Sequence, residues 1–122
     1  KTFSSVYLEN TGNSFVMNKL PVLAQLSSIN KILSSDIDKD GYKDIIVSGN
    51  MYNSEVETPR NDGSVGVLLR YTPSKGFEAV STQESGLFIN GDVKDMEFIT
   101  VNNDDFIISA KNDALIGFTK IK

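Results

Sequence analysis

Asp36-Ile37-Asp38-Lys39-Asp40-Gly41-Tyr42-Lys43-Asp44 runs straight into Ile45-Ile46-Val47-Ser48-Gly49-Asn50, and this stretch decides the fold. Its first nine residues read D-x-D-x-D-G-x-x-D. Carboxylates at positions 1, 3 and 5 of a tight loop converge on one point, and a glycine at position 6 permits a sharp turn with positive φ. Four carboxylates held that close repel one another unless a counter-cation joins them. The residues that follow are β-branched and apolar, then end at Gly49-Asn50, the pattern of a short strand buried on both faces.

A helix–loop–helix calcium hand is the first comparison, and it fails on two counts. Position 12 of the loop is Val47 where a bidentate Glu is required, and no exiting helix follows. The loop therefore joins two strands. Position 9, Asp44, is left to supply the closing carboxylate and position 7, Tyr42, its carbonyl. Lys39 and Lys43 occupy intervening positions and are expected to point outward. The competing reading is a solvated acidic turn, since Asp and Gly are turn residues in any case. Four acids at this spacing favour a metal, and an all-oxygen ligand set suits Ca²⁺ or Mg²⁺ over transition metals.

Strand periodicity continues outward in both directions. Val6 and Leu8 alternate before an Asn10-Thr11-Gly12-Asn13 turn, and Phe15 and Met17 alternate after it, which predicts a hairpin. Val65, Val67 and Leu69 alternate up to Thr72-Pro73-Ser74-Lys75-Gly76, beyond which Phe77 and Ala79 resume the pattern. The last quarter predicts strands over 96–101, 106–110 and 115–121, with Asn102 to Asp105 as a turn. Leu20 to Leu26 and Ser28 to Leu33 carry the only helix-like spacing. Pro21, the serines and the β-branched isoleucines argue against a long helix there. The fold class is all-β.

A shift of 61 residues lays Val6–Phe15 on Val67–Phe77 and Asp44–Asn50 on Asp105–Asn112. Two independent matches share one period, which predicts a repeated unit of strand, turn, strand, connection, strand, turn, strand. That unit is an antiparallel four-stranded blade of a β-propeller. On this register residues 1–28 supply the outer strands of one blade, 29–82 a complete blade carrying the acidic loop, and 83–122 a partial blade. About two blades do not close a propeller, and an isolated blade exposes apolar faces and strand edges. The expectation is a piece of a larger protein whose remaining blades, a second copy or face-to-face packing cover those surfaces. In the second unit Glu97, Ile99 and Val101 stand where Asp36, Asp38 and Asp40 would fall, so one loop-type metal is expected, with no equivalent near residue 100. Asp92, Asp95, Asp104 and Asp105 are read as turn and surface acids.

Composition narrows the chemistry. The 122 residues are 39% hydrophobic and 23% charged, with 12 Lys and Arg against 16 Asp and Glu and a formal net charge of -4. A chain of that length can bury roughly two-thirds of its unfolded surface. It has no Cys, no His and no Trp, which excludes a Ser-His or Cys-His nucleophile pair, a Cys/His zinc site, thiol redox chemistry and a neutral-pH histidine switch. Basic residues are scattered singly among acids, so nucleic acid is a poor partner. No apolar run approaches the roughly 18 residues of a membrane span. The sequence opens on Lys1-Thr2-Phe3, without an initiator Met, a basic stretch or an apolar run there, so the expectation is a piece excised from a longer protein; no Asn-x-Ser/Thr acceptor is present.

"DIDKDGYKDIIVSGN" (Asp36–Asn50) followed by "VGVLLRYTPSKGF" (Val65–Phe77) resembles an FG-GAP or VCBS-type repeat. In such repeats a calcium loop lies between two inner strands of a blade and a hairpin ending in Phe forms the outer pair. The resemblance implies an integrin-alpha-like propeller of an exported or cell-surface bacterial protein, with calcium held by Asp36, Asp38, Asp40, the Tyr42 carbonyl and Asp44. The segment "SGLFINGDVKDMEF...FIISAKND" is similar to the C-terminal part of large VCBS/ASPIC-type proteins. The Phe-Gly and Gly-Ala-Pro strings that name the first family are absent.

The long polar connection "NMYNSEVETPRNDGS" (Asn50–Ser64) is the remaining candidate. Glu55 and Glu57, near Arg60 and Asp62, could in principle flank a glycosidic bond, but an exposed interblade loop explains them more simply. Loops of this length carry recognition, and Tyr52, Glu55, Glu57 and Arg60 are the expected ligand surface. No catalytic residue is assigned. The expected function is a non-enzymatic, calcium-binding scaffold, adhesion or protein-interaction module located extracellularly; the alternative is a carbohydrate-binding or glycan-processing accessory domain.

Overall fold

A computed structural model describes residues 3–121. Lys1, Thr2 and Lys122, which bound the first and last expected units, lie outside the described residues. The described chain is all-β, with nine strands in three antiparallel sheets. Strands β1 (Val6–Asn10) and β2 (Phe15–Lys19) form a two-stranded sheet; β3 (Ile29–Ser35), β4 (Asp44–Gly49), β5 (Val67–Thr72) and β6 (Gly76–Val80) form a four-stranded sheet in sequential order. Strands β7 (Val93–Val101), β8 (Asp104–Lys111) and β9 (Gly117–Lys120) form a three-stranded sheet.

The central sheet is buried on both faces, as strand periodicity requires when neighbouring side chains of one strand point to opposite sides. Ile46, Leu33, Leu68 and Val80 face Val93, Met96 and Ile107 of the three-stranded sheet, with Leu87 and Ile89 filling the space between. On the other side Val47, Val67 and Leu69 pack on Leu20 and Ala24, with Tyr7, Phe77 and Ala79 at the margin. Ile46, Leu69, Val93 and Ile107 are essentially sealed from solvent. At about 25 cal/mol per Å² each such side chain contributes roughly 1.5–3 kcal/mol, which is why the apolar run of β4 is short, continuous and uninterrupted.

Several boundaries differ from those the sequence predicts, each for a local reason. Leu20 to Leu26 holds only a single 3₁₀ turn, Val22–Gln25, started by Pro21. Residues 82–85 form a one-turn helix, α1 (Thr82–Ser85): the Ser81 hydroxyl accepts from the Glu84 N–H at 3.2 Å and Gly86, at φ 70°, closes the turn. That is an N-cap and an αL C-cap with almost nothing between them, too short to show a period. The turn between β7 and β8 shrinks to Asn102-Asn103, both at positive φ (52° and 65°), the conformation that a two-residue hairpin of primed type demands. Asp104 and Asp105 consequently belong to β8, opposite Val101 and Thr100. Leu115 and Ile116 precede β9 and are exposed.

Two details recur between the second and third sheets. The β3–β4 ladder shifts register between Ile29 and Lys31, and the β7–β8 ladder shifts between Val93 and Asp95. Asn50 N–H donates to the Ser28 carbonyl at 3.2 Å after β4, and Asn112 N–H donates to the Asp92 carbonyl at 2.8 Å after β8. Asn50 also ties the sheets together. Its side chain is sealed, donates from Nδ2 to the Ser64 carbonyl (2.7 Å) and the Gly91 carbonyl (3.0 Å), and accepts at Oδ1 from the Ser64 N–H (3.1 Å) and the Ser27 hydroxyl (2.6 Å). With φ at 78°, the position favours Asn, whose short polar side chain tolerates the left-handed region.

Candidate functional site

The loop from Asp36 to Lys43 connects the end of β3 to the start of β4. Lys39 at φ 61° and Gly41 at φ 94° reverse the chain twice in three residues and fold the loop onto itself. The backbone N–H groups then orient the carboxylates: Gly41 donates to Asp36 Oδ2 (3.0 Å), Asp40 to Asp38 Oδ1 (3.3 Å) and Tyr42 to Asp40 Oδ1 (2.9 Å). One oxygen of each carboxylate is fixed in this way, which leaves the other as a potential ligand. Oxygens of Asp36, Asp38 and Asp40 lie within 4.8 Å of one another.

Two of the remaining oxygens have definite surroundings. Asp36 Oδ1 is buried and has no hydrogen-bond partner, an arrangement that costs free energy unless something positive meets it. Asp38 Oδ2 lies 2.8 Å from Arg70 Nε, and the same guanidinium reaches Glu84 Oε1 at 3.4 Å. Arg70 thus supplies an internal counter-charge from β5. The donor set fits a hard cation: three converging carboxylates, an unsatisfied buried oxygen and no nitrogen or sulfur ligand.

Asp44 is placed differently from its three neighbours. It is sealed from solvent, and both carboxylate oxygens accept backbone N–H groups, Oδ2 from Ile37 at 3.1 Å and Oδ1 from Tyr71 at 3.0 Å. It therefore clamps the first residues of the loop to β5, and it stands outside the three-carboxylate cluster. The Tyr42 ring is exposed and sits 6.0 Å from the Tyr71 ring, which continues through Phe77 to Tyr7 at centroid distances of 5.1 and 5.0 Å. Burial, Glu9 and Tyr71 together raise the Tyr7 phenol above its usual range.

At the opposite end of β4 the long connection is pinned by a Met51–Asn61 bridge. Of its four expected ligand residues, the structure brings two together: the Arg60 guanidinium lies over the Tyr52 ring, 4.5 Å from the centroid. Tyr52 and Arg60 line a cleft with Asn53, Asp92, Asn112 and Asp113. Glu55 and Glu57 are exposed and stand outside that lining.

The reading of Asp92 as a surface acid is corrected. Its side chain is 1% exposed; Lys94 Nζ lies 2.7 Å from Oδ1, and the Tyr52 N–H donates to Oδ2 at 3.4 Å. Its three companions do stay at the surface: Asp95 pairs with Lys31 at 2.6 Å, Asp104 with Lys120 at 2.8 Å, and Asp105 accepts from the Thr100 hydroxyl at 2.7 Å. Sequence reasoning also missed Arg70, Asn50 and Asn112. Asn112 had a signal, since the 61-residue shift pairs its strand with the one that ends at Asn50. Arg70 had none, because its meeting with Asp38 depends on cross-strand register. No helix among the described residues is long and apolar enough to cross a membrane. No family model, no curated protein and no solved structure matches the chain.

Proposed function

We propose that the chain is a non-enzymatic, calcium-clamped segment of a β-propeller of the FG-GAP/VCBS type, working as a scaffold or interaction module of an exported or cell-surface protein. The observation that carries the reading is the loop between β3 and β4, where backbone N–H groups pre-set three carboxylates and one buried Asp36 oxygen lacks any partner. Asp36, Asp38 and Asp40 would hold the ion, with the Tyr42 carbonyl as a further oxygen. Asp44 shapes the loop by binding Ile37 and Tyr71, and its carboxylate keeps lone pairs for a share in the coordination. Calcium supplies charge neutralisation there, so that the acids favour the folded loop.

The repeat reading is supported by the two-, four- and three-stranded sheets and by the features shared between the second and third: the register shift near the start of the first strand and the Asn N–H bond that follows the second. Leu8, Phe15 and Met17 on the first sheet and Ile116 and Phe118 beside the third are exposed, which fits surfaces that further blades cover. The absence of His and Cys from the sequence and the lack of a base or nucleophile beside the loop favour a structural ion over catalysis.

Equilibrium dialysis against ⁴⁵Ca tests the reading. It expects one calcium bound per chain, lost in Asp36→Ala and Asp38→Ala. No calcium bound at millimolar concentration overturns it.

A further inference from the structure

The cleft at the far end of the central strands from the acidic loop has a volume of about 770 Å³ and is walled by Tyr52, Asn53, Arg60, Asp92, Asn112 and Asp113. That volume falls within the usual ligand-pocket range of roughly 300–1,000 Å³. Its walls come from three separate segments, and Asp92 ties them together. The carboxylate accepts from the Tyr52 N–H on one side, and the Asp92 carbonyl accepts from the Asn112 N–H at 2.8 Å on the other. Arg60 is held over Tyr52 and against Asp62, with Nε 3.3 Å from the carboxylate. These contacts position the polar groups before any ligand arrives, which lowers the entropy that binding must overcome.

The chemistry of the walls selects the ligand. Arg60 donates only, Asp113 accepts only, and the Asn53 and Asn112 amides do both, while the sealed Asp92 carboxylate stands behind the wall, held by Lys94 and the Tyr52 N–H. An anion would meet the Asp113 carboxylate with a second acid behind it. A cation would have to displace Arg60, which already occupies the Tyr52 face where a cation–π contact forms. The principal wall charges are also balanced internally, Arg60 by Asp62 and Asp92 by Lys94. What complements closely spaced donors and acceptors without net charge is a set of adjacent hydroxyls. We infer that this cleft is a binding site for a neutral saccharide of one to three residues, its vicinal hydroxyls bridging Arg60, Asn112 and Asp113. The inference is independent of calcium, since no residue of the acidic loop lines the cleft.

The test is an array of neutral and acidic mono- to trisaccharides probed with the whole chain, followed by calorimetric titration with the strongest neutral binder. Arg60→Ala and Asn112→Ala are the variants; both residues are exposed and neither side chain supports the core, so their melting temperatures are expected to match the parent. The expected result is selective binding of neutral glycans, weakened at least tenfold by each variant and unchanged in Asp36→Ala. Absence of any neutral glycan signal, preference for acidic glycans, or full affinity in both cleft variants overturns the inference. Because Asp36→Ala removes calcium and leaves the cleft intact, failure of the glycan result and failure of the calcium result are read separately.

Discussion

Replacing Asn50 by Ala tests one of the polar links between the second and third sheets, beside the shared apolar core and the Asn30 bond to the Val93 carbonyl. The side chain is sealed and makes four hydrogen bonds; its removal strands the Ser64 carbonyl and N–H, while the Gly91 carbonyl keeps the Val93 N–H and the Ser27 hydroxyl keeps Asn61 Oδ1. Each lost bond of this kind costs about 0.5–1.5 kcal/mol net, and more where water cannot reach the orphaned group. Four of them, two of whose partners keep another bond, give about 3 kcal/mol. The backbone at φ 78° adds up to about 1 kcal/mol against Ala, so the total loss is about 3–4 kcal/mol. For a chain of this size that lowers the melting temperature by about 10–15 °C.

The assay is urea denaturation followed by far-UV circular dichroism, with Asn50→Gly as the partner variant. Glycine removes the same four bonds without the φ penalty, so it is expected to recover up to about 1 kcal/mol relative to Ala. Hydrogen exchange at the amides around Gly91 should accelerate in both variants, because the missing bonds join that turn to the central sheet. A loss below about 1 kcal/mol in Asn50→Ala, or wild-type stability in Asn50→Gly, would refute the reasoning.

Three further outcomes follow from the loop and the sheet interface. Gly41→Ala, where open space surrounds the position but φ is 94°, should cost about 1–2 kcal/mol from backbone strain alone; a neutral change by thermal melting contradicts the assigned turn. Arg70→Met should tighten calcium binding by about two- to fivefold, since it removes a part-exposed guanidinium competing for Asp38; weaker binding by dialysis would show that Arg70 supports the ion instead. Lys31 holds the Asp95 carboxyl below the usual carboxylate range, helped by the Met96 N–H, and Asp95 in turn raises the Lys31 ammonium. A depressed carboxyl stabilises above its unfolded pKa and loses that effect as pH falls through the folded value. A raised ammonium stabilises below its unfolded pKa and loses the effect as pH rises through the folded one. The melting difference between wild type and Asp95→Asn is therefore expected to be level across neutral pH, to start shrinking as pH falls to about 3.9, and to vanish only below the depressed folded value; an undiminished difference at pH 2 contradicts it.

Strand identity was legible in the sequence wherever burial imposed a pattern. Ile45-Ile46-Val47 reads as a doubly buried strand because both of its faces meet apolar layers, and the structure places Ile46 and Val47 in opposite cores. The sharp turn at Gly41 was equally legible, since D-x-D-x-D-G leaves the chain few alternatives. Features set by distant neighbours were not. Asp92 looks like any acid beside a glycine, and only the approach of Tyr52 and Lys94 buries it. Asp44 and Asp40 are the same residue four positions apart, yet register opposite β5 turns one into a backbone clamp and leaves the other in the cluster. The Asn102-Asn103 hairpin was overestimated in length because Asp104 and Asp105 carry turn-like composition, while ladder pairing with Val101 and Thr100 keeps them extended.

Thermal melting of the chain in 1 mM Ca²⁺ and in chelator, with Asp36→Ala alongside, bears most directly on the clamp. If the affinity is that of extracellular calcium modules, near 10⁻⁴ M, then 1 mM ion stabilises the fold by about 1.4 kcal/mol. That amounts to a rise of about 5 °C in the wild type and none in Asp36→Ala. Identical melting curves with and without calcium, or an equal rise in Asp36→Ala, would contradict the account.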